Sequence, residues 1–258
     1  MRIVALAAVA AGSVFAQGPT LPPPILQLVR RPGFATEPAR SYGLARAAVD
    51  VLGMTAMTGT PESWFVESHE TFASVEDLDK ALMTVGGPRI SGISQDPFEG
   101  DGLGGPRILL SVYQPAWSYR ADQAIRLFPH AHYFHVSIYR IRAGMESDFG
   151  ELVKLRRSSQ DSVNMDRPDL AYEVVSGAPS GTYLFLAPIV SLRNFDGGVA
   201  STPVYAEGLA EAHSKARAKI APDSEISREH LLFRVEPRLS YVSDDFASVE
   251  PEFWRGKQ

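Results

Sequence analysis

The sequence predicts an α+β fold in which two βαββαβ units follow one another along a chain of 258 residues. The leading observation is an internal repeat. Residues 109–119 (LLSVYQPAWSY) match residues 231–241 (LLFRVEPRLSY) at a constant offset of 122 positions. A repeat of this kind indicates that one half of the chain duplicates the other.

Two shorter matches support the duplication. Residues 72–79 resemble residues 189–196 at an offset of 117, and residues 26–30 resemble residues 136–140 at an offset of 110. Offsets that grow along the chain indicate insertions between the matched elements. Chance supplies one such match readily, whereas three in the same order favour a tandem repeat.

The second half shows the alternation of strand and helix periods that such a unit requires. Its strands alternate apolar and polar residues, and Phe149, Leu152 and Val153 recur at helical spacing. The predicted elements are a strand at 132–142, a helix at 146–164, two strands at 170–176 and 182–189, a helical stretch from 191 to about 220, and a strand at 230–236.

The first half follows the same order. Ser74, with Asp77 three residues later, is a variant of the capping box that begins helices. The predicted elements are a strand at 25–31, a helix at 37–51, a hairpin turn at 59–61, a strand at 64–71, a helix from 74 and a strand at 107–113. The order βαββαβ is that of the ferredoxin-like unit, and we predict one unit at 25–122 and a second at 130–242.

Two such units in one chain resemble a fused version of the dimeric α/β-barrel superfamily. Its members include antibiotic-biosynthesis-type monooxygenases, NIPSNAP-like proteins and chlorite dismutase-like haem proteins. The resemblance rests on element order and on the repeat over residues 24–242, so it implies a fold. It assigns no catalytic residue, because a fold alone does not define a function.

The amino terminus predicts export. Arg2 gives a short positive segment, residues 3–11 form an apolar run, and Ala16 supplies the small residue that signal peptidase requires. We therefore expect a signal peptide at 1–16, cleavage before Gln17, and a periplasmic or extracellular protein. A proline-rich lead at 17–24 and a carboxy-terminal tail at 243–258 flank the two units.

Composition excludes several classes of function. The chain has no cysteine, which excludes disulfides and thiolate metal sites. A formal charge of −5 provides no basic surface for nucleic acid, and no further segment is apolar enough to insert into a membrane. Motifs of P-loop proteins, serine hydrolases and zinc proteases are absent.

One strand carries the candidate ligand-binding residues, which are Tyr133, His135, Ser137 and Tyr139. They alternate with Phe134, Val136 and Ile138, so the two sets lie on opposite faces. The apolar set suits packing against helices, which predicts that the aromatic and polar set lines the barrel interior. A small-molecule pocket needs such a surface. The alternative is an interior in which these side chains only pack together.

Glu67 and His69 are the other candidates, on one face of the strand at 64–71. A carboxylate that orients an imidazole is typical of a general base, so His69, Glu67 and His135 are the catalytic candidates. The offset of 117 aligns Glu67 and His69 with leucines, which suggests that the polar residues of the two halves face one shared cavity. A solvated ion pair is the alternative.

A metal site is not expected. His130, His132 and His135 are close in sequence, but one strand cannot direct all three to a single ion. The glycine-rich segment 86–106 has acidic residues without the spacing of a calcium loop. The second half has no counterpart of this segment. It is either a lid over the barrel or an ordinary surface insertion.

The sequence therefore predicts an exported protein that binds a small apolar or aromatic ligand between its two halves, without a cofactor. The alternative is an enzyme, either a cofactor-independent oxygenase or isomerase with His69 or His135 as the base, or a haem-dependent enzyme. A solidly packed interior would instead indicate a structural role.

Overall fold

A computed structural model describes residues 19–42, 50–76, 107–162, 164–196 and 209–256. The strands are β1 (Ile25–Pro32), β2 (Val51–Ala56), β3 (Glu62–His69), β4 (Arg107–Tyr113), β5 (Tyr133–Ile141), β6 (Leu170–Ser176), β7 (Thr182–Ile189) and β8 (Glu225–Val235). The helices are α1 (Ala121–Leu127), α2 (Glu146–Ser162), α3 (Leu209–Ser224), α4 (Asp244–Ser248) and α5 (Pro251–Arg255). None of the helices in these ranges is long and apolar enough to cross a membrane.

The strands close into one antiparallel barrel in the order β1-β3-β2-β8-β5-β7-β6-β4. Within the first half the order is β4-β1-β3-β2, and within the second it is β8-β5-β7-β6. Both halves therefore place the first strand between the fourth and the third. They join at two seams, where β2 pairs with β8 and β4 pairs with β6.

Apolar side chains fill the barrel interior. Every strand contributes to a single buried cluster, and Trp64 of β3 reaches Phe233 of β8 with ring centroids 4.7 Å apart. Their strands are not neighbours, so this contact crosses the inside of the wall. The members from the strands are Leu26, Leu28, Leu52, Met54, Trp64, Val66, Leu109, Phe134, Val136, Ile138, Leu170, Tyr172, Val174, Leu184, Leu186, Leu231, Phe233 and Val235.

The opposite face of β5 is covered by helix α2. Tyr139 packs against Phe149 of α2 with ring centroids 5.1 Å apart, and Tyr183 of β7 stacks on the same phenylalanine at 5.7 Å. These residues form a second buried cluster, separate from the interior. The wall of the second half thus has an apolar inner face at β5 and a mixed outer face beneath α2.

One end of the barrel is closed by short helices. Ile125 and Phe128, which lie between β4 and β5, join the interior cluster, as do Phe246 and Trp254 near the carboxy terminus. The Trp254 Nε1–H donates a hydrogen bond of 2.7 Å to the Pro129 carbonyl oxygen. Residues 243–258, expected to be a tail, therefore contribute a buried tryptophan to the core.

A buried ion pair lies toward the other end. The Arg30 guanidinium donates three hydrogen bonds to the Glu62 carboxylate, at 2.8 to 3.1 Å, and sits 4.8 Å from the centre of the Trp64 ring. Both side chains are at most one-tenth exposed. Such a pair tolerates burial because every charge meets an opposite charge in good geometry.

Several predicted boundaries were wrong. The helix expected at 37–51 does not include Val51, since Val51 begins β2 and pairs with Glu67 of β3. The helix expected to begin at Ser74 begins at residue 72, because the Thr71 hydroxyl accepts the Ser74 N–H and caps it. Strand β8 begins at Glu225 rather than His230.

Candidate functional site

The four candidate residues of β5 lie on its outer face, so the prediction that they line the interior was wrong. Phe134, Val136 and Ile138 occupy the interior instead. Tyr139 packs beneath α2, and the Ser137 hydroxyl lies 2.9 Å from His230 Nδ1. A closed barrel of eight strands needs branched and aromatic apolar side chains to fill its centre, which explains the reversal.

His135 shares this face with a histidine that sequence reasoning overlooked. The ring of His230 on β8 is nearly parallel to that of His135, with centroids 5.5 Å apart and planes 12° apart. Strands β5 and β8 pair so that Ser137 lies opposite His230, which brings the two imidazoles side by side. Only the pairing register could reveal this contact, because 95 positions separate them.

A small pocket opens beside His135. It is lined by His135, Asp166, Arg167, Ala187, Pro188, Ile189, Asn194 and Phe195. Phe195 meets His135 edge to face, with centroids 6.1 Å apart. The cavity measures about 20 Å³, which is room for a water molecule. The pocket lies entirely within the second half, between the sheet and its covering segments.

Two arginines lie near this pocket, and only one of them forms an ion pair with a described carboxylate. Arg156 of α2 donates to both oxygens of Asp169, at 3.0 and 3.2 Å, and lies 4.5 Å from the centre of the Phe185 ring. Arg167 lies 4.4 Å from the centre of the Phe195 ring and donates a long hydrogen bond of 3.4 Å to the Phe195 carbonyl. The charge of Arg156 is thus compensated by a carboxylate.

These surroundings keep His135 neutral. Burial lowers its pKa to about 4, with further lowering from His230, Arg167 and Arg156. Burial also lowers the pKa of His230, which is the more exposed of the two, and Arg228 and Arg217 add to the effect. At neutral pH His135 therefore presents an unprotonated ring nitrogen, which accepts a hydrogen bond or a proton.

Glu67 and His69 lie elsewhere. They are on the outer face of β3, and β2 and β8 separate β3 from β5 in the barrel. The expectation that they share a cavity with His135 was therefore wrong. Both residues are buried, at 0% and 1% exposure, which also excludes the solvated ion pair.

The hydrogen bonds of His69 define its tautomer. The Ser74 hydroxyl donates to the Thr71 carbonyl oxygen at 2.7 Å, so it accepts from His69 Nδ1 at 3.2 Å. Nε2 then carries the lone pair, and it is buried with no hydrogen-bond partner among the residues that the structure describes. Burial lowers the pKa of His69, so this imidazole is neutral as well.

The alignment of Glu67 and His69 with leucines contained a slip of one residue. Strand β3 pairs Ile25 with His69, and β7 pairs His135 with Ala187 at the equivalent place. By strand pairing, Glu67 and His69 therefore correspond to Phe185 and Ala187, at an offset of 118. A slip of one residue moves every side chain to the opposite face of a sheet.

His130 and His132 contact residues at the carboxy-terminal helices. His132 Nε2 lies 2.9 Å from a Glu250 oxygen, His130 Nδ1 lies 3.5 Å from the other, and Phe253 stacks on His132 at 4.1 Å. Within the described ranges no three histidine or acidic residues are grouped as metal ligands are. The segment 86–106 and the proposed signal peptide lie outside the described residues.

Comparison with known proteins identifies the fold. A candidate monooxygenase from Fusobacterium nucleatum superposes with a TM-score of 0.50 at 8% identity, over 86% of this chain and 98% of its own. An anthrone oxidase-like protein gives 0.50 at 10% identity, over 82% and 91%. The chain has the dimeric α/β-barrel fold.

A haem-binding protein from Thermus thermophilus is more distant, with a TM-score of 0.43 at 10% identity, over 82% of this chain and 90% of its own. No protein-family model matches the sequence, and no curated protein matches it. At such low identity the dimeric α/β-barrel likeness defines the architecture and leaves the chemistry to the residues of the site.

Proposed function

We propose that the chain binds a small planar aromatic ligand on the helix-covered face of its second half, with His135 at the polar end. The observation that carries the proposal is a neutral histidine at the edge of a pocket walled by Pro188, Ile189 and Phe195. Apolar walls with a few convergent polar groups are typical of ligand sites. The interior between the two halves, where the sequence suggested binding, is filled with side chains.

Binding requires that Phe195 move. Its ring covers His135, and the closed pocket holds only about 20 Å³. Phe195 is held there by the Arg167 guanidinium and by edge contact with an imidazole, interactions worth about 1 kcal/mol each. A planar ligand that takes the place of the phenyl ring against Arg167 and His135 would replace both interactions.

Binding is tested by titration calorimetry with 2-naphthol, whose hydroxyl can donate to His135. Replacing His135 by Leu removes the acceptor and keeps the volume, and we expect the affinity to fall about tenfold. His132→Leu is the matched control, because that imidazole contacts Glu250 and Phe253 away from the pocket. Equal affinities of the wild type and His135→Leu would contradict the proposed site.

A second candidate function is cofactor-independent oxygenation, and the charge around His135 favours it. A neutral imidazole has a free nitrogen that can take a proton from an acidic C–H, and the nearby guanidinium of Arg167, which forms no ion pair with a described carboxylate, would stabilise the resulting anion. Two proteins of the same fold are named for oxidation chemistry, a candidate monooxygenase and an anthrone oxidase-like protein.

Anthrone is the test substrate for that function. Its carbanion is oxidised by dioxygen, so that one anthrone and one dioxygen give one anthraquinone and one water. We expect His135→Asn to lower the rate by a factor of about 10² to 10⁴, as measured by oxygen uptake and anthraquinone absorbance. A wild-type rate equal to that of buffer would refute catalysis and leave binding intact.

Haem is the cofactor that the resemblance allowed. The space beside His135 is about 20 Å³, and the Phe195 and Arg167 side chains lie across it. A porphyrin does not fit among these residues as they are arranged, so the described pocket does not favour haem. A Soret band in the purified protein would contradict this conclusion.

Export through residues 1–16 is proposed from the sequence alone. Expression of the full chain with its natural amino terminus, followed by amino-terminal sequencing of the secreted product, tests it. We expect the mature protein to begin at Gln17. Retention of Met1 in all of the product would refute cleavage.

A further inference from the structure

Within the described part of the chain, no carboxylate balances the charge of Arg167. Three other buried or half-buried arginines form ion pairs with carboxylates: Arg30 with Glu62, Arg156 with Asp169 and Arg217 with Glu225. Among the residues that the structure describes, no carboxylate forms an ion pair with Arg167. Arg167 instead contacts the ring and the carbonyl oxygen of Phe195.

An uncompensated guanidinium in such a place has unused binding capacity. A guanidinium carries five N–H donors in a planar fork, and one of them makes the long bond of 3.4 Å to Phe195. The half-buried position of Arg167 lowers its pKa, which shows that the site disfavours a lone cation. A carboxylate that entered the pocket would restore the balance and accept two parallel hydrogen bonds.

The remaining polar groups of the pocket do not supply that carboxylate. Asp166 is the neighbour of Arg167 and also lines the pocket, but its side chain is exposed to solvent. Asn194 is neutral, and so is His135 at neutral pH. Water screens the charge of Asp166 more strongly than that of the half-buried guanidinium, so the pocket as a whole favours an anion.

We infer that Arg167 is the residue that selects the ligand of the His135 pocket, and that this ligand is a planar aromatic carboxylate rather than a neutral aromatic compound. The inference rests on the proposed binding function and adds the chemical class of the ligand. The carboxylate binds the guanidinium, and the aromatic ring occupies the position that the Phe195 ring leaves.

The experiment compares 2-naphthoate with its neutral analogue 2-naphthamide by titration calorimetry. We expect the wild type to bind the carboxylate about tenfold more tightly or better, and Arg167→Gln to lose that preference. Asp166→Asn should strengthen the preference for the carboxylate, because it removes a nearby negative charge that repels this ligand. Arg140→Gln, at an exposed arginine of β5, is the control and should behave as the wild type.

Arg167→Lys and a salt series keep the inference testable if Arg167→Gln does not fold. The lysine variant keeps the charge without the fork and should show an intermediate preference. Naphthoate binding should weaken with added salt, while naphthamide binding should not. Equal wild-type affinities for the two compounds would overturn the inference and leave the proposed function standing. Binding of neither compound would overturn both.

Discussion

The two faces of strand β5 have opposite compositions, and each serves a different layer of the molecule. Phe134, Val136 and Ile138 point into the barrel, where they belong to a single buried cluster to which all eight strands contribute. His135, Ser137 and Tyr139 point out toward α2 and the segments that cover the second half. The inner face is uniformly apolar, whereas the outer face mixes aromatic, hydroxyl and imidazole groups.

The difference shows where this fold keeps its polar side chains. A closed wall surrounds the interior and excludes water from it, so a polar group there must find a partner within the barrel, as Arg30 does with Glu62. The outer layer lies beneath helices and loops whose edges reach solvent. Polar side chains can be partly hydrated there, and a ligand can approach them.

The largest expected effect is on the inner face. Phe233→Ala should lower the free energy of unfolding by about 3–5 kcal/mol, because Phe233 is fully buried and supports Trp64 across the barrel. Urea denaturation measures the change. Leu232→Ala, the next residue on the outer face and only partly buried, is the control and should cost less than half as much. Equal costs would contradict the assignment of the two faces.

A smaller effect is expected from protonation of the outer face. The pKa of His135 is about 4 in the folded protein and near 6.5 when unfolded, so the unfolded chain binds the proton more readily. Between these values the free energy of unfolding should fall as the pH falls, by roughly 1–3 kcal/mol in total. His135→Asn should flatten this part of a denaturation series from pH 7 to pH 4. An unchanged slope would show that His135 does not titrate in this way.

The smallest effect tests how closely the outer layer is packed. Gly150 lies within α2, and a Cβ added there would meet Trp117 at 3.5 Å, which is ordinary contact. Gly150→Ala should therefore raise the free energy of unfolding by about 0.5–1 kcal/mol, since alanine is the better helix former. Gly53→Ala is the contrasting variant. Its Cβ would lie 2.6 Å from Leu239 Cβ, so thermal melting should show a loss of stability.

Sequence reasoning identified most strands because their signals are local. The alternation of residues at 107–113, 170–176 and 182–189 matched β4, β6 and β7 to the residue. The turn between β6 and β7 was equally readable, since Gly177 and Gly181 take φ angles of 88° and 77°. Strand β2 was implied by the hairpin turn at 59–61 but received no bounds, and its first residue, Val51, was read as the end of a helix. The tandem duplication itself stays a prediction.

The candidate site was less accessible to such reasoning. His135, Ser137 and Tyr139 were correctly placed on one face, but the choice between inner and outer face depended on how the barrel closes. His230 was missed because the pairing of β5 with β8 decides its position. Arg167 carried no signal in the sequence. Only the structure shows which arginines form ion pairs and which do not.

The order of strands in the barrel also governs how the nascent chain can fold. The first half is synthesised before its partners, so the outer edges of β4 and β2 have no strand to pair with until β6 and β8 are made. Met54 finds its partner Val235 only after 181 further residues are made. Unpaired edges of this kind recruit wrong partners, including the same strands of another copy. Almost the whole chain must therefore be present before the wall can close, and both edges of the first half stay open until the second half is available.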